Sequence, residues 1–560
     1  MKRPLAYYVS AFFIGCFSTL TFKTNIIYGA VIAASFLIIM AATLKWRAAF
    51  ICMLFFMLGM IDYNIYFNIR LNDEAKIRIE YKNGYLCIGN YKGRKILLQG
   101  NIYNLSCGEK IYAYGKAYPY CDYIRGTAAK YKICKYTSDK KDFIYRMYQY
   151  KNKAYKSFKD ILGEEKSGIV MALCFGDTSY TEKSQKLRFQ KLGVIHAFSV
   201  SGLHLSLIYA VIEYVFNFKC ALILSVLYIL FTGANASAIR ALVMITVLKV
   251  SKIVYKNYDK ISSLSFAALI LLVIRPYYIT DIGFMLSFLS TLGILLYYTE
   301  FKKMFQYIPE KLKNSLCLTL SAQVFSLSYT ACTLNNFSPG FILGNIFLVP
   351  LYSIIIVLGN ISLPFINTPH IFRCFGSIMY VLMELDECIS DVLLKISPSV
   401  IMTDIKMGAY ILCIYMLFLL YKHGYKKCLY VPLMIFIILM PSQYKFVPDV
   451  NCFSLDSVYG IYARYKSKSV IICSYDITQS SEILKLTEKH PADYILTNPQ
   501  INTTVKISGG FMIKCIKNGY ELYFHGRKYF VNVSDKKGTD EYYIITGYDI
   551  IKFGCSDIFP

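Results

Sequence analysis

Residues 5–22 and 25–44 each run without a charged side chain for about the 20 residues a helix needs to cross a bilayer, with Lys23 between them, and 48–69 follows as a third span. Backbone in hydrocarbon must satisfy its own hydrogen bonds, so such runs fold as helices. A chain of 560 residues, 56% hydrophobic and 17% charged, that opens this way reads as a polytopic α-helical membrane protein. Secretory signals have a shorter apolar region and a small-residue cleavage site; here a second span follows almost at once, so the first helix is expected to be retained.

Lys2, Arg3, Lys45 and Arg47 flank the first two spans on one side and only Lys23 on the other, which by the positive-inside rule puts the N-terminus in the cytoplasm. Three crossings then leave residues 70–140 outside. Ten further apolar segments lie near 193–214, 220–234, 238–254, 261–275, 282–299, 315–333, 341–363, 374–396, 407–421 and 428–440. If each crosses once, the basic loops at 252–260, 302–313 and 422–427 are cytoplasmic and the C-terminus is outside. Short segments that re-enter lower the total, giving about 11–13 spans in an inner, cytoplasmic membrane.

Residues 70–140 change character. KIRIEY, YLCIGNYKG, KILLQGNIYNL, EKIYAYGKAYPY and AAKYKICKYT are short Tyr- and Ile-rich runs punctuated by Gly and Asn, the spacing of a small antiparallel β-domain or barrel. Residues 70–160 hold 20 Lys or Arg against 8 Asp or Glu, nearly half of the chain's net +26. A basic, aromatic β-surface suits a polyanion with stacking faces, such as single-stranded DNA, with Lys92, Arg94, Lys95, Lys110 and Lys116 as binding candidates. The competing explanation is a Lys-, Ile- and Tyr-biased composition with solvated lysines. Cys87, Cys107, Cys121 and Cys134 allow three disulfide pairings. From 141 to 190 the chain reads as amphipathic connector helices, with Phe143, Met147, Tyr150 and Ala154 at helical spacing.

Residues 193–214 form an apolar stretch of spanning length into which His196, Ser199, Ser201, Gly202 and His204 are set. Polar groups at that depth line a hydrated path or meet partners. Serines also glue helices together. Two histidines eight apart on one helix are about 12 Å apart, too far to share a metal. A serine hydrolase built on Ser201 with His196 or His204 remains open, although Ser199 stands where a nucleophile elbow has glycine. Elsewhere in the bundle (191–440) the polar residues expected at membrane depth are Asn235, Ser237, Arg240, Arg275, Asp281, Ser287, Gln323 and Asn345. In TGANASAIRALVM a helix start beside Arg240 makes an anion site, with an Arg240–Asp281 ion pair as the structural alternative.

LGVIHAFSVSGLHLSLI, LYILFTGANASAIRALVM, PYYITDIGFMLSFLSTLGIL and FSPGFILGNIFLVPLYSIIIVLG resemble segments found in the same order in ComEC family competence proteins. The resemblance covers roughly 165–365, and the three N-terminal spans with a basic OB-like domain look like that family's N-terminal part. It implies a channel carrying one DNA strand across the cytoplasmic membrane during natural transformation, with membrane lipid, a DNA receptor and a cytoplasmic helicase-like ATPase as partners. This chain has no Gly-x-x-x-x-Gly-Lys-Ser/Thr loop of its own. A transporter of a smaller anion is a further alternative.

Residues 441–560 turn soluble, with 14 basic and 12 acidic residues and alternating runs that read as a small α/β domain. Many ComEC proteins end in a metallo-β-lactamase-like domain. The counterpart of its first motif is LDSVYGIY, keeping Leu455, Asp456 and Gly460, and that of its metal cluster is TNPQINTT, with Asn498, Gln500, Asn502 and Thr503 at ligand positions. Neutral amides are poor zinc or manganese donors, and His490 and His525 have no ligand partner at suitable spacing. The tail is therefore expected to be a degenerate, non-catalytic domain, and no cofactor is implied.

Overall fold

The computed structural model describes residues 3–69, 71–83, 86–139, 141–334, 336–397, 401–403, 405–422, 445–455, 458–466, 468–473, 492, 494–500, 502–508, 510–516, 519–531, 541–545 and 550–553. The chain divides into two units, one of residues 1–326 and 338–399, the other of 327–337 and 400–560.

In the first unit, helices α1 (Pro4–Thr24), α2 (Ile26–Thr43) and α3 (Trp46–Phe67) match the three expected N-terminal spans. Pro4 opens α1, where a missing N–H costs nothing, and Asn25 caps α2 through Ile27 N. Gly15 and Gly59 let α1 and α3 touch backbone to backbone: a Cβ at Gly15 would stand 2.2 Å from the Phe56 carbonyl oxygen.

Strands β1 (Glu74–Asn83), β2 (Leu86–Tyr91), β3 (Arg94–Gly100), β4 (Lys110–Tyr118) and β5 (Thr127–Ser138) close into a barrel in the order β1-β2-β3-β5-β4. Alternate residues point inward, so Ile77, Ile79, Ile96, Leu98, Ile111, Tyr131 and Ile133 fill it. The expected antiparallel domain is a closed barrel with one parallel pair, β3 with β5, which local alternation does not reveal.

The connector folds as α4 (Phe143–Phe175), kinked at Gly163 (φ 78°), and α5 (Lys183–Lys191). Its first half is amphipathic, while residues 167–175 are wholly buried. Residues 193–214 are not one span. A 3₁₀ turn at Ile195–Phe198 precedes an extended break at Ser199, and only then does α6 (Gly202–Val215) begin. Ser201 favours the break, because a side chain able to cap a new helix competes with continuing the old one.

The bundle continues through α7 (Phe218–Thr232), α8 (Ala236–Ile253), α9 (Lys260–Ile274), α10 (Ile282–Met304), α11 (Glu310–Thr333), α12 (Phe341–Ser362) and α13 (Pro369–Ile396). Among the described residues five helices are long and apolar enough to cross a membrane: α1, α2, α3, α10 and residues Phe341–Phe365. Helices α6, α7 and α9 are apolar but only 14, 15 and 15 residues long. At 1.5 Å per residue that is roughly 21–23 Å, short of a ~30 Å hydrocarbon core. Helix α13 is amphipathic rather than spanning in composition, with Glu384, Asp386, Glu387 and Asp391 in its second half.

In the second unit, β6 (Asn336–Phe337) pairs with β7 (Ile401–Met402), and α14 (Ile405–Lys422) covers the 407–421 segment. The 428–440 segment lies outside the described residues. Two sheets follow. The first has β8 (Lys445–Leu455), β9 (Val458–Lys466), β10 (Lys468–Cys473), β11 (Tyr494–Thr497), β16 (Glu541–Ile545) and β17 (Ile550–Phe553) in the order β11-β10-β9-β8-β16-β17. The second is β12 (Thr504–Ser508), β13 (Phe511–Ile516), β14 (Gly519–Phe524) and β15 (Arg527–Val531) in chain order. Val450, Ile461 and Ile472 of one pack with Phe511, Ile513 and Leu522 of the other.

Candidate functional site

Two places concentrate the chemistry of the first unit. One is the junction where α6 and α8 start. Ser201 is the N-cap of α6: its Oγ accepts from Leu203 N at 3.2 Å and lies 2.9 Å from His204 Nδ1, which also accepts from Ser201 N at 3.2 Å. His204 thus fills the third position of a capping box, a role usually taken by Glu or Gln. Ser237, in the first turn of α8, donates to the Val200 carbonyl at 2.6 Å and ties that helix start to the break before α6. Asn235 is the N-cap of α8 but makes no side-chain cap bond, which leaves first-turn N–H groups of α8 without it.

Arg240 sits one turn into α8. Its guanidinium donates to Thr291 Oγ1, lies 5.9 Å from the Phe288 ring centroid, and fills the space beside Gly202, where a Cβ would come within 2.8 Å of it. Thr291 in turn donates to the Ser287 carbonyl at 2.8 Å. The Arg240–Asp281 ion pair is not made. Asp281 instead caps α10, accepting from Phe284 N at 2.7 Å, because a helix start offers its N-cap carboxylate bare N–H groups two and three residues on. Two helix N-termini and a guanidinium therefore gather partial and full positive charge in one place, the arrangement that binds oxyanions.

The other residues named from sequence fall elsewhere. His196 and Ser199 have exposed side chains at the break. Gln323 accepts from Ser326 within α11 at 3.1 Å, and Asn345 is half-buried on α12; neither hydrogen-bonds to the junction among the described residues. Arg275 is not an isolated intramembrane charge. It lies 3.9 Å from Glu80 of the barrel and donates to Tyr278 Oη at 3.0 Å, so it serves the seam between barrel and bundle.

The second place is the barrel's outer face. Three of its five candidates are engaged in structure: Lys110 pairs with Asp142 at 3.1 Å, Lys95 sits over the Tyr277 ring at 4.7 Å, and Arg94 donates to the Asn68 carbonyl at 3.4 Å. Burial and the neighbouring Arg275 push the Lys95 ammonium below its usual pKa, a sign of a structural cation. Lys92 and Lys116 are exposed.

The register of β4 on β5 supplies what was missed. Outward residues pair as Tyr112 with Thr137, Tyr114 with Lys135, Lys116 with Lys132 and Tyr118 with Lys130. Three tyrosines thus interleave with four lysines, and among the described residues none of the four lysines is in an ion pair. Tyr114, Lys135, Tyr136, Asn101 and Asn104 line an open groove of about 470 Å³ at one end of this ribbon. The alternation in IYAYGKAY and AAKYKICK was the available signal. Cys87, Cys107, Cys121 and Cys134 are all free thiols.

In the tail, Asn498 and Asn502 take positive φ (48° and 74°) in the loop between β11 and β12. Backbone bonds hold that loop, Asn498 N to the Cys473 carbonyl and Asn502 N to the Cys515 carbonyl, and Thr503 Oγ1 donates to the Gln500 carbonyl at 2.7 Å. His525 stands in the turn between β14 and β15. Asp456 and His490 lie outside the described residues.

Residues 173–423 match the family model described as "Competence protein", a range that holds the whole junction. ComE operon protein 3 of Bacillus subtilis (strain 168) is 27% identical over 234 residues, 40% of this chain and 30% of that protein. An uncharacterized protein of Aquifex aeolicus (strain VF5) is 27% identical over 154 residues, 26% of this chain and 37% of its own length. The chain thus spans about a third of the length of the curated relatives it matches. No solved structure matches. The broken α6 start, Arg240 and the Asp281 cap all lie inside the range that is similar to the competence protein family.

Proposed function

We propose that this chain forms a channel that passes single-stranded DNA across the cytoplasmic membrane during natural transformation. The observation that carries the reading is the junction inside the competence-family range: two helix starts and Arg240 within a mostly apolar bundle. Phosphates leaving water need fixed positive charge that costs no reorganisation, and helix N–H groups beside a guanidinium supply it. Ser201, Ser237 and His204 hold the two helix starts and line the path. The barrel, whose strand order is one that OB-type barrels use, captures the strand on its Lys/Tyr ribbon by charge and base stacking. The DNA receptor and helicase-like ATPase follow from the family resemblance, as do an inside N-terminus and an outside C-terminus. The tail resembles a metallo-β-lactamase-like fold whose ligand positions hold amides, and we read it as non-catalytic.

A second reading has one observation in its favour. Ser201 Oγ at 2.9 Å from His204 Nδ1 is the spacing of a nucleophile and its base. The same contact is a capping box, and no carboxylate is hydrogen-bonded to His204 among the described residues, so the channel accounts for more of the geometry. Uptake of labelled DNA into the cytoplasm, compared in cells with and without the chain, tests the proposal. Equal uptake in both refutes it.

A further inference from the structure

The open groove of about 470 Å³ at one end of the β4–β5 ribbon is lined by Asn101, Asn104, Tyr114, Lys135, Tyr136 and Thr137. Tyr114 and Lys135 lie opposite each other in the ribbon's register, so a strand that follows the ribbon runs into the groove. The two asparagines come from the loop between β3 and β4, and that loop is held at several points. Gly100 takes φ 96° where the chain passes β5, and a Cβ there would stand 2.3 Å from the Ile133 carbonyl oxygen. Asn101 N donates to that same carbonyl at 3.1 Å. Ile102 and Leu105 are buried in the barrel core, and Lys82 donates to the Tyr103 and Leu105 carbonyls at 2.5 and 2.9 Å.

Asparagines are common on surface loops, where their side chains usually bond the backbone of their own turn. These two do not. Both side chains are exposed, and neither amide has a hydrogen-bond partner among the described residues. A fixed backbone therefore presents two uncommitted amides to a groove that also holds aromatic rings. The Tyr114 ring is held in place by its hydroxyl, which donates to Glu74 at 3.1 Å, and Tyr136 packs partly against the barrel core. Among the described residues that line the groove, Lys135 alone is charged.

We propose, on the reading of the barrel as the part that captures single-stranded DNA, that this groove is a subsite for one unstacked nucleobase and that it takes adenine best. Flat rings with neutral amides grip a base turned out of its strand, whereas a site for phosphate alone would be lined by cations. An asparagine amide sets an acceptor beside a donor and pairs bidentately with an adenine edge. Adenine offers that match on two edges, N1 with the N6 amino group and N7 with the same amino group. Cytosine and thymine offer a donor beside an acceptor on their Watson–Crick edge only, and the N7 edge of guanine carries two acceptors. Adenine therefore meets a matching amide whichever edge enters first, while Lys135 takes the adjoining phosphate. Charge is read along the ribbon, and base identity at its end.

The test is fluorescence anisotropy with the full chain in nanodiscs, comparing a short oligothymidylate with versions that carry one central adenine or one central guanine. The adenine strand should bind at least about fivefold tighter than the other two, the discrimination of one bidentate amide–base pair. Asn101→Ala with Asn104→Ala should erase that preference and leave the salt slope of oligothymidylate binding as it was. Both side chains are exposed and unbonded, so the Tm of this variant should match the parent's. Equal affinity for the adenine and thymine strands in the parent, with the salt slope intact, overturns the subsite and leaves the barrel as the capture surface. A preference that survives the double substitution also overturns it, by placing the readout elsewhere. A parent chain that binds none of these strands at low salt overturns the barrel's capture role and the subsite with it.

Discussion

Replacing Lys116, Lys130, Lys132 and Lys135 together by alanine should remove most of the salt dependence of DNA binding while leaving the barrel folded. These four project outward from β4 and β5, whereas Lys95 and Lys110 are spent on Tyr277 and Asp142. Each lysine–phosphate contact on a single strand releases about 0.7 of a counterion, so four give a slope of about −2.8 in log K against log salt. Raising salt fourfold should then weaken binding about 50-fold. The quadruple variant should be nearly flat, and each single Lys→Ala should lower the slope by about 0.7. The tyrosines act differently. Tyr118→Ala should cost about 1–3 kcal/mol of affinity through lost stacking and leave the slope unchanged. Fluorescence anisotropy of a labelled oligothymidylate against the full chain in nanodiscs, from 50 to 200 mM salt, measures all of this. A quadruple variant with the parent's slope would refute the ribbon as the binding surface, and binding insensitive to salt in the parent would leave biased composition as the reason for the lysines.

At the junction, Ser201→Ala should keep most DNA uptake, while Ser201→Leu and His204→Leu put apolar bulk into the path and abolish it, and Arg240→Ala removes a phosphate contact; uptake and membrane insertion are read on the same variants. Fluorophosphonate labelling that disappears in Ser201→Ala would favour the hydrolase instead. The chain should not cleave DNA in Mn²⁺ or Zn²⁺, because three amides and a threonine hydroxyl stand at the ligand positions Asn498, Gln500, Asn502 and Thr503; metal-dependent cleavage would overturn that alignment. Lys151, 7% exposed, pairs with Asp177 at 3.1 Å and otherwise donates only to the Phe175 carbonyl among the described residues, so Asp177→Asn should destabilise the connector by about 3–5 kcal/mol by leaving a buried ammonium without its counter-charge. Burial pushes the Asp177 carboxyl up, but Lys151 and Ser179 hold it below its ordinary value. A carboxyl with a depressed folded pKa contributes stability above its unfolded pKa and loses it as pH falls through the folded one, so thermal melts should show an acid-labile step below about pH 4 that Asp177→Asn lacks.

What the sequence determined by itself is what local rules encode. Apolar runs of bilayer length sufficed for α1, α2 and α3, because hydropathy needs no distant partner. Turn residues and alternation located a β-domain at 70–140, and the bundle's polar residues pointed to Arg240 beside a helix start. Tertiary structure decided the pairings. Whether Ser201 continues a helix or begins one depended on Ser237 of α8 reaching the Val200 carbonyl 37 residues away. Arg275 found Glu80 across the barrel seam as well as Tyr278 beside it, and Asp281 took the bare N–H groups of its own helix start rather than an arginine. Composition counted twenty basic residues from 70 to 160, but only the β4–β5 register separated lysines free to meet phosphate from those already holding the fold together. The parallel β3–β5 pair and the groove beside Asn101 and Asn104 were invisible for the same reason: both are set by which segments meet in space, and spacing along a chain carries no record of that.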